Sequence, residues 1–148
     1  MAYREDWYEA EQLHRAAGAG DIPEMEKLAA AGFDVNMFDD TGRTPLHFAV
    51  EGEHYRAAEW LLMHGADVNS HDENMIGETP LCFAVQRDYP ELVELLLRHG
   101  ADPDIAGWMG NTARMRAQRR KDAEGRKIAD LIAQRSVPGA PGKPKGVA

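Results

Sequence analysis

Six histidines and one cysteine are the side chains in this 148-residue chain best suited to nucleophilic, acid–base or metal chemistry. They are His14, His47, His54, His64, His71, His99 and Cys82. A zinc site needs such ligands in close pairs so that four can converge on one ion, and no cluster here has that spacing. "HDEN" at 71–74 sets three polar side chains in one loop, a weak signal for a cation. His64 and His99 both open the string "HGAD", and a residue repeated in the same local context points to a structural task. Cys82 lies inside the apolar run "PLCFAV", where a thiol is buried and inert, because reactivity requires access and a stabilised thiolate. There is no phosphate-binding glycine loop. These residues predict no catalytic centre, no metal and no cofactor.

The repeated context of the histidines extends to the whole chain. "GRTPLHFAV" begins at Gly42, "GETPLCFAV" follows 35 residues later at Gly77, and "GNTARMRAQ" follows 33 residues after that at Gly110. Behind the first two come "AAEWLLMHGADVN", ending at Asn69, and "LVELLLRHGADPD", ending at Asp104. "MEKLAAAGFDVN", ending at Asn36, is a weaker earlier copy. Self-similarity near 33 residues is the mark of a stacked repeat architecture.

Each unit has a physical reading. Thr44 and Thr79 are helix N-caps, with Pro45 and Pro80 at the first helical position, where a missing N–H costs nothing. Leu46, Phe48 and Ala49 face inward on a short helix, and the small Ala49 and Ala84 let a neighbouring helix approach. The runs "WLLM" and "LLLR" form the buried seam of a second helix, which Gly65 and Gly100 end in the left-handed conformation. The polar segments that follow, such as 65–77, are extended fingers, in which Asn36 and Asn69 bond backbone. One helix pair cannot bury its apolar face, whereas stacked pairs can.

The strings "TPLHFA" at 44–49, "TPLCFA" at 79–84, "HGADVN" at 64–69 and "HGADPD" at 99–104 carry a resemblance to the ankyrin repeat family over roughly residues 9 to 134. The resemblance implies an all-α solenoid: a stack of antiparallel helix pairs with β-hairpin fingers projecting to one side. The expected organisation is one domain over 1–136, in units near 9–40, 41–74, 75–107 and 108–136, followed by a disordered Pro/Gly/Lys tail at 137–148. Three departures stand out. Cys82 replaces the histidine of His47, which removes part of the family's threonine–histidine hydrogen-bond net. The finger before Gly77 is two residues longer than the one before Gly42. In the last unit the loop around "RRKDAEGRK" is expected to be about three residues longer.

A solenoid needs polar ends. At the front, Leu13, Ala16, Ala17, Met25 and Leu28 are expected to face inward and Glu9, Glu11, Glu24, Glu26 and Lys27 to face water, with Trp7 and Tyr8 packed over the first helix. At the back, Arg114 occupies the position of Leu46 and Leu81, and Arg116 that of Phe48 and Phe83. Met115, Ala117, Ile128, Leu131 and Ile132 keep an apolar face, so the last unit is expected to be apolar toward the stack and cationic toward water.

Composition bounds the function. Residues 1–110 carry 7 Lys+Arg against 22 Asp+Glu and residues 111–148 carry 10 against 3, so an acidic body meets a basic end. A single cysteine allows no internal disulfide and fits a reducing compartment. No run reaches the roughly 18 apolar residues of a membrane span, and the early charges of "MAYREDWYEAEQ" do not read as a signal peptide. A cytoplasmic protein is expected, a monomer rather than a homo-oligomer, with no small-molecule substrate and no membrane. By the resemblance it is a protein-binding module that works through its fingertips and inner helices. The contact positions are then Phe38, Asp40, Thr41 and Arg43 on the first finger, Asn74, Met75, Ile76 and Glu78 on the second, Trp108, Met109 and Asn111 on the third, and Glu51, Gln86, Arg87, Arg119 and Arg120 at the inner-helix ends. Phe38, Met75, Ile76, Trp108 and Met109 would make a row of large apolar side chains across successive fingers, flanked by Arg43, Arg87 and Arg119 for carboxylates on a partner. Two other readings follow from charge. One is an immunity or antitoxin-like protein that blocks a basic toxin. The other is nucleic-acid or acidic-surface binding through Arg114, Arg116, Arg119, Arg120, Lys121, Arg126 and Lys127, with Lys143 and Lys145. That second reading lacks interleaved aromatics and a known reader motif.

Overall fold

The computed structural model describes residues 10–75 and 77–135. They form four antiparallel helix pairs. The first pair is α1 (Gln12–Ala19) and α2 (Ile22–Ala30), and the second is α3 (Pro45–Glu51) and α4 (Tyr55–Met63). The third is α5 (Pro80–Ala84) and α6 (Pro90–Arg98), and the fourth is α7 (Ala113–Arg119) and α8 (Ala123–Arg135). The inner helices α1, α3, α5 and α7 stack in that order, and behind them α2 packs on α4 and α6 on α8.

Local signals place each inner helix. The Thr44 N–H donates to His47 Nδ1 at 3.0 Å, with the Thr44 hydroxyl 2.9 Å from the same nitrogen. Because Nδ1 accepts, the ring proton sits on Nε2, which donates to the carbonyl of Glu78 at 2.7 Å and ties one unit to the next. Thr79 caps α5 by accepting from the Cys82 N–H at 3.3 Å, and its hydroxyl lies 3.5 Å from Cys82 Sγ. Thr112 caps α7 through the Met115 N–H at 3.1 Å.

The core runs the length of the stack. Leu13, Met25, Leu46, Leu61, Leu81, Leu92, Leu95, Leu96, Ile128 and Ile132 are all buried, and each contributes on the order of 2 kcal/mol of burial. The buried Ala16, Ala49, Ala84 and Ala117 provide the close approach of the inner helices. Asn36 and Asn69 are cross-unit staples. Asn36 donates to Gly65 O at 3.0 Å and accepts from the Asp67 N–H at 2.7 Å; Asn69 does the same with Gly100 O at 3.2 Å and the Asp102 N–H at 2.8 Å.

The fingers are turns. Among the described residues there is no strand; two fingers are closed across their base by Asp39 N–H to Arg43 O at 2.8 Å and Gly107 N–H to Asn111 O at 2.7 Å, each beside turn bonds such as Gly42 N–H to Asp39 O and Gly110 N–H to Gly107 O. With Asp39 Oδ1 accepting from the Thr41 and Arg43 N–H groups, little backbone is left for a ladder.

The last unit corrects three expectations. Its interhelix loop is not longer: three residues, 120–122, join α7 to α8, as 52–54 join α3 to α4. The extra length lies in α8. Gly65 and Gly100, at φ +96° and +93°, follow helices that end at Met63 and Arg98. The corresponding position is Ala133, which has no such preference, so α8 continues for another turn. Met115 is exposed instead of joining the apolar face kept by the buried Ala113, Ala117, Ile128 and Ile132, with Leu131 half-buried. The arginines do not simply face water. Arg114 forms a two-pronged pair with Asp104, at 2.7 and 2.8 Å, and Arg116 pairs with Glu78. Arg120 donates to the carbonyls of Val85 and Arg87 at 3.0 and 2.8 Å, filling the open end of α5, and also pairs with Asp88 and Asp122. At the front, Leu13, Ala16, Ala17, Met25 and Leu28 are buried; Glu26 and Lys27 are exposed, whereas Glu11 and Glu24 are half-buried. Trp7, Tyr8, Glu9, Ile76 and the tail 137–148 lie outside the described residues.

Two stability predictions follow from these contacts. Burial holds the His47 pKa at about 4, below the ordinary 6.5, and nearby Arg43 pushes in the same direction against the Glu78 carbonyl. The unfolded chain therefore takes up this proton at a higher pH than the folded one. His47 contributes its full stability above about pH 6.5 and loses it as pH falls toward about 4, a drop of about 3 kcal/mol. Urea titrations at neutral pH and near pH 4 should show this loss in the native chain, and His47→Gln should reduce the pH dependence by a similar amount. Arg120→Ala should cost about 2 kcal/mol in thermal melts, because helix-end carbonyls and two carboxylates lose their donor. The neighbouring exposed Lys121→Ala should change stability by less than about 0.5 kcal/mol.

Candidate protein-binding groove

The fingers and the inner helices meet along a set of connected clefts. The largest, about 520 Å³, is lined by Thr41, Gly42, Arg43, Glu51, Gly77, Glu78, Phe83 and Trp108. A second, about 370 Å³, shares Glu51, Glu78 and Phe83 with it and adds Gln86, Arg87 and Arg116. A third, about 320 Å³, runs on through Gln86, Arg116, Asn111, Arg119 and Trp108. A fourth, about 450 Å³, lies between the second and third fingers, where His71, Glu73, Met75, Ile105, Trp108 and Met109 face each other. Trp108 thus borders three of the four.

The charged walls are fixed by the fold. The Arg43 guanidinium is clamped between two rings, 4.9 Å from the centre of Phe48 and 4.8 Å from that of Phe83, and it pairs with Glu51. Arg116 takes the position of Phe48 and Phe83 in its own unit and pairs with Glu78, both side chains mostly buried. Arg119 donates to the neutral Asn111 Oδ1 at 2.7 Å. Ahead of this, carboxylate oxygens of Glu11, Asp39 and Asp40 lie within 4.8 Å of one another. Burial raises the Asp39 pKa, but hydrogen bonds from Arg43 and Thr41 outweigh it and hold the carboxyl below its ordinary value. At the far end, the hydrogen-bonded Arg114 keeps Asp104 ionised in the same sense.

The third finger is unlike the first. The matching closing bonds put Gly107, Trp108 and Met109 where the first finger has Asp39, Asp40 and Thr41. Trp108 is 56% exposed and Met109 77% exposed. Met109 also sits at φ +57°, in the left-handed region that a bulky side chain adopts only at a cost of about 1 kcal/mol. Neither burial nor turn geometry calls for these two residue types.

The expected contact residues do not form one row. Thr41, Arg43, Glu51, Glu78 and Trp108 share the main cleft, and Gln86, Arg87, Asn111 and Arg119 line its continuation. Met75 and Met109 lie on the other side of Trp108, and Met75 packs close to Gly42 of the first finger. Phe38 and Asp40 are exposed but line none of these clefts. Arg43 and Glu78 are already engaged within the molecule, and Arg120 serves the end of α5. Phe83 was not among the expected contacts, although it forms the floor of two clefts. Its pattern in the sequence is that of any inner-helix apolar residue; the only hint is that the same position becomes arginine in the last unit. His71 bonds Asn69 O at 2.8 Å and lies 3.5 Å from Glu73, which accounts for part of "HDEN". Cys82 is buried.

Comparison with known proteins agrees with this architecture. The family described as ankyrin repeats (many copies) matches residues 13–62, and the single ankyrin repeat matches residues 76–108. The palmitoyltransferase AKR1 of Gibberella zeae is 40% identical over 60 residues, 40% of this chain and 8% of that protein. Human Arf-GAP with coiled-coil, ANK repeat and PH domain-containing protein 3 is 48% identical over 61 residues, 40% of this chain and 7% of that protein. Mouse ankyrin repeat domain-containing protein 40 is 43% identical over 58 residues, 38% of this chain and 16% of that protein. The chain thus spans only a small part of the length of these relatives. With its repeat strings, stacked helix pairs and two matched segments, the chain belongs to the ankyrin repeat family, whose repeats are protein–protein interaction modules.

Proposed function

We propose that this chain is a non-catalytic cytosolic adaptor or inhibitor that captures a partner protein in the groove between its fingers and inner helices. The observation that carries this reading is Trp108. It is the large aromatic residue of an exposed fingertip, it borders three clefts, and the fold does not require it there. Aromatic side chains at the centre of a cleft are the usual anchors of protein recognition. No acyl-transfer activity is carried over from the Gibberella zeae relative, of which the chain spans 8%. Nucleic-acid binding by the basic end has less support. Arg114, Arg116, Arg120 and Lys127 are each paired with a carboxylate of the chain, which reduces the charge they can offer to phosphate.

The test compares two exposed residues on opposite sides of the molecule. Trp108→Ala should leave the thermal midpoint almost unchanged, within about 0.5 kcal/mol, and should weaken capture of the specific partner from a cell extract at least about tenfold. Met63→Ala, at a 72% exposed position on the outer helix α4, should leave both unchanged. Undiminished capture by a folded Trp108→Ala protein would refute the groove reading.

A further inference from the structure

The groove carries a charge order along the stack. The position seven residues after each capping threonine is Glu51 in α3, Gln86 just after α5 and Arg119 in α7. These three line consecutive, connected clefts, so the inner wall passes from acidic through neutral to basic over three units. The ion pairs Arg43–Glu51 and Arg116–Glu78 cancel locally. What remains lies at the two ends. At the first-unit end the carboxylates of Glu11, Asp39 and Asp40 crowd together, next in the chain to Thr41 on the cleft wall. At the last-unit end stand Arg87 and Arg119, neither of which forms an ion pair among the described residues. Between the ends the exposed surface is aromatic, Phe83 below and Trp108 above. The fingertip position also loses its negative charge along the stack, from Asp40 to Trp108.

Resting on the reading that the groove takes a protein, we propose that its partner contributes one extended segment with a fixed charge order: a basic residue over Glu11, Asp39 and Asp40, a large apolar residue between Phe83 and Trp108, and an acidic residue over Arg87 and Arg119. The geometry sets the length. Inner helices pack roughly 8–10 Å apart, so the three spacings from Glu11 at the start of α1 to α7 come to about 25 Å. An extended chain at about 3.3 Å per residue covers that with about eight residues. Opposite ends of opposite sign also fix the direction in which the segment lies, because the reversed peptide would place like charges together at both ends.

A phage-displayed random octapeptide library panned against the full chain tests this directly. Enriched peptides should carry Lys or Arg toward one end, Asp or Glu toward the other and an aromatic or long aliphatic residue between them. Their binding should weaken as salt is raised. The quadruple variant Glu11→Lys, Asp40→Arg, Arg87→Glu, Arg119→Glu reverses the net sign of both ends while keeping Asp39, which holds the first finger; it should enrich the opposite charge order and disfavour the original peptides at least about tenfold, the product of modest surface pairs. The neutralised variant Glu11→Gln, Asp40→Asn, Arg87→Gln, Arg119→Gln should lose most of the preference between the two orders, and circular dichroism melts should show all of these proteins folded. Peptides that bind in the groove without charge order, or the same order selected by native and swapped chains, would overturn the charge assignment while leaving the groove intact. Binding that is indifferent to Phe83→Ala and Trp108→Ala would overturn the groove itself.

Discussion

The contact of each helix pair with the next is the interaction on which this molecule depends. A pair such as α3 and α4 presents buried side chains on both sides, and neither side can be covered from within the unit. The neighbours provide that cover, and polar groups follow the same rule. His47 reaches forward to the Glu78 carbonyl, and Asn36 and Asn69 each bind a carbonyl and an amide of the following unit. His14 and His47 also meet the next phenylalanine edge-on, with ring centres 5.6 and 5.3 Å from Phe48 and Phe83. Register between units is therefore set by packing, hydrogen bonds and ring contacts acting together.

The junction between the third and fourth units departs from this scheme through coupled substitutions. Where the next His–Phe contact would fall, the chain has Cys82 and Arg116, and Arg116 turns instead to Glu78. Where the next staple asparagine would fall there is Asp104; the positions that match its partners, 133 and 135, lie within α8, and it takes Arg114 of α7 instead. Where the terminating glycine would fall there is Ala133, and α8 runs on. Each change would be damaging alone: a carboxylate without its arginine, or an arginine in an apolar slot. Together they join the fourth unit to the third by ion pairs where the earlier junctions use ring contacts and asparagine staples.

The repeated signals were legible because they are local and recur at a fixed interval. Thr44 and Thr79 with their prolines, Gly65 and Gly100, and the apolar seams locate the helices from the chain alone. What could not be read is what depends on contacts between units. Arg114, Arg116 and Arg120 show in the sequence that the apolar pattern ends, but not that each has a particular carboxylate, because Asp104, Glu78 and Asp88 lie 10 to 38 residues away. The length of the last loop is not legible, because the helix after it lacks the glycine that marks the other ends. The apolar fingertip residues were visible one by one, yet their grouping on two sides of Trp108, and the separation of Phe38 from them, depend on how the fingers lean.

The fingertips are the part of the molecule that the stacking rule leaves free. A residue such as Leu81 or Asn69 is fixed by its neighbours, so its type says little about anything beyond the fold. At the tip of a finger the fold asks only for a tight turn. The first finger meets that need with polar groups, Asp39 holding Thr41 and Arg43. The third meets it with Trp108 and a left-handed Met109, which exposes apolar surface and adds backbone strain. Both are unfavourable for an isolated chain in water. They sit beside a groove whose walls are already held in place by clamped and paired arginines, so a partner would find the aromatic surface presented and the charges oriented before it arrives. Less ordering is then left to be lost on binding, which is the physical advantage of building recognition on a rigid repeat.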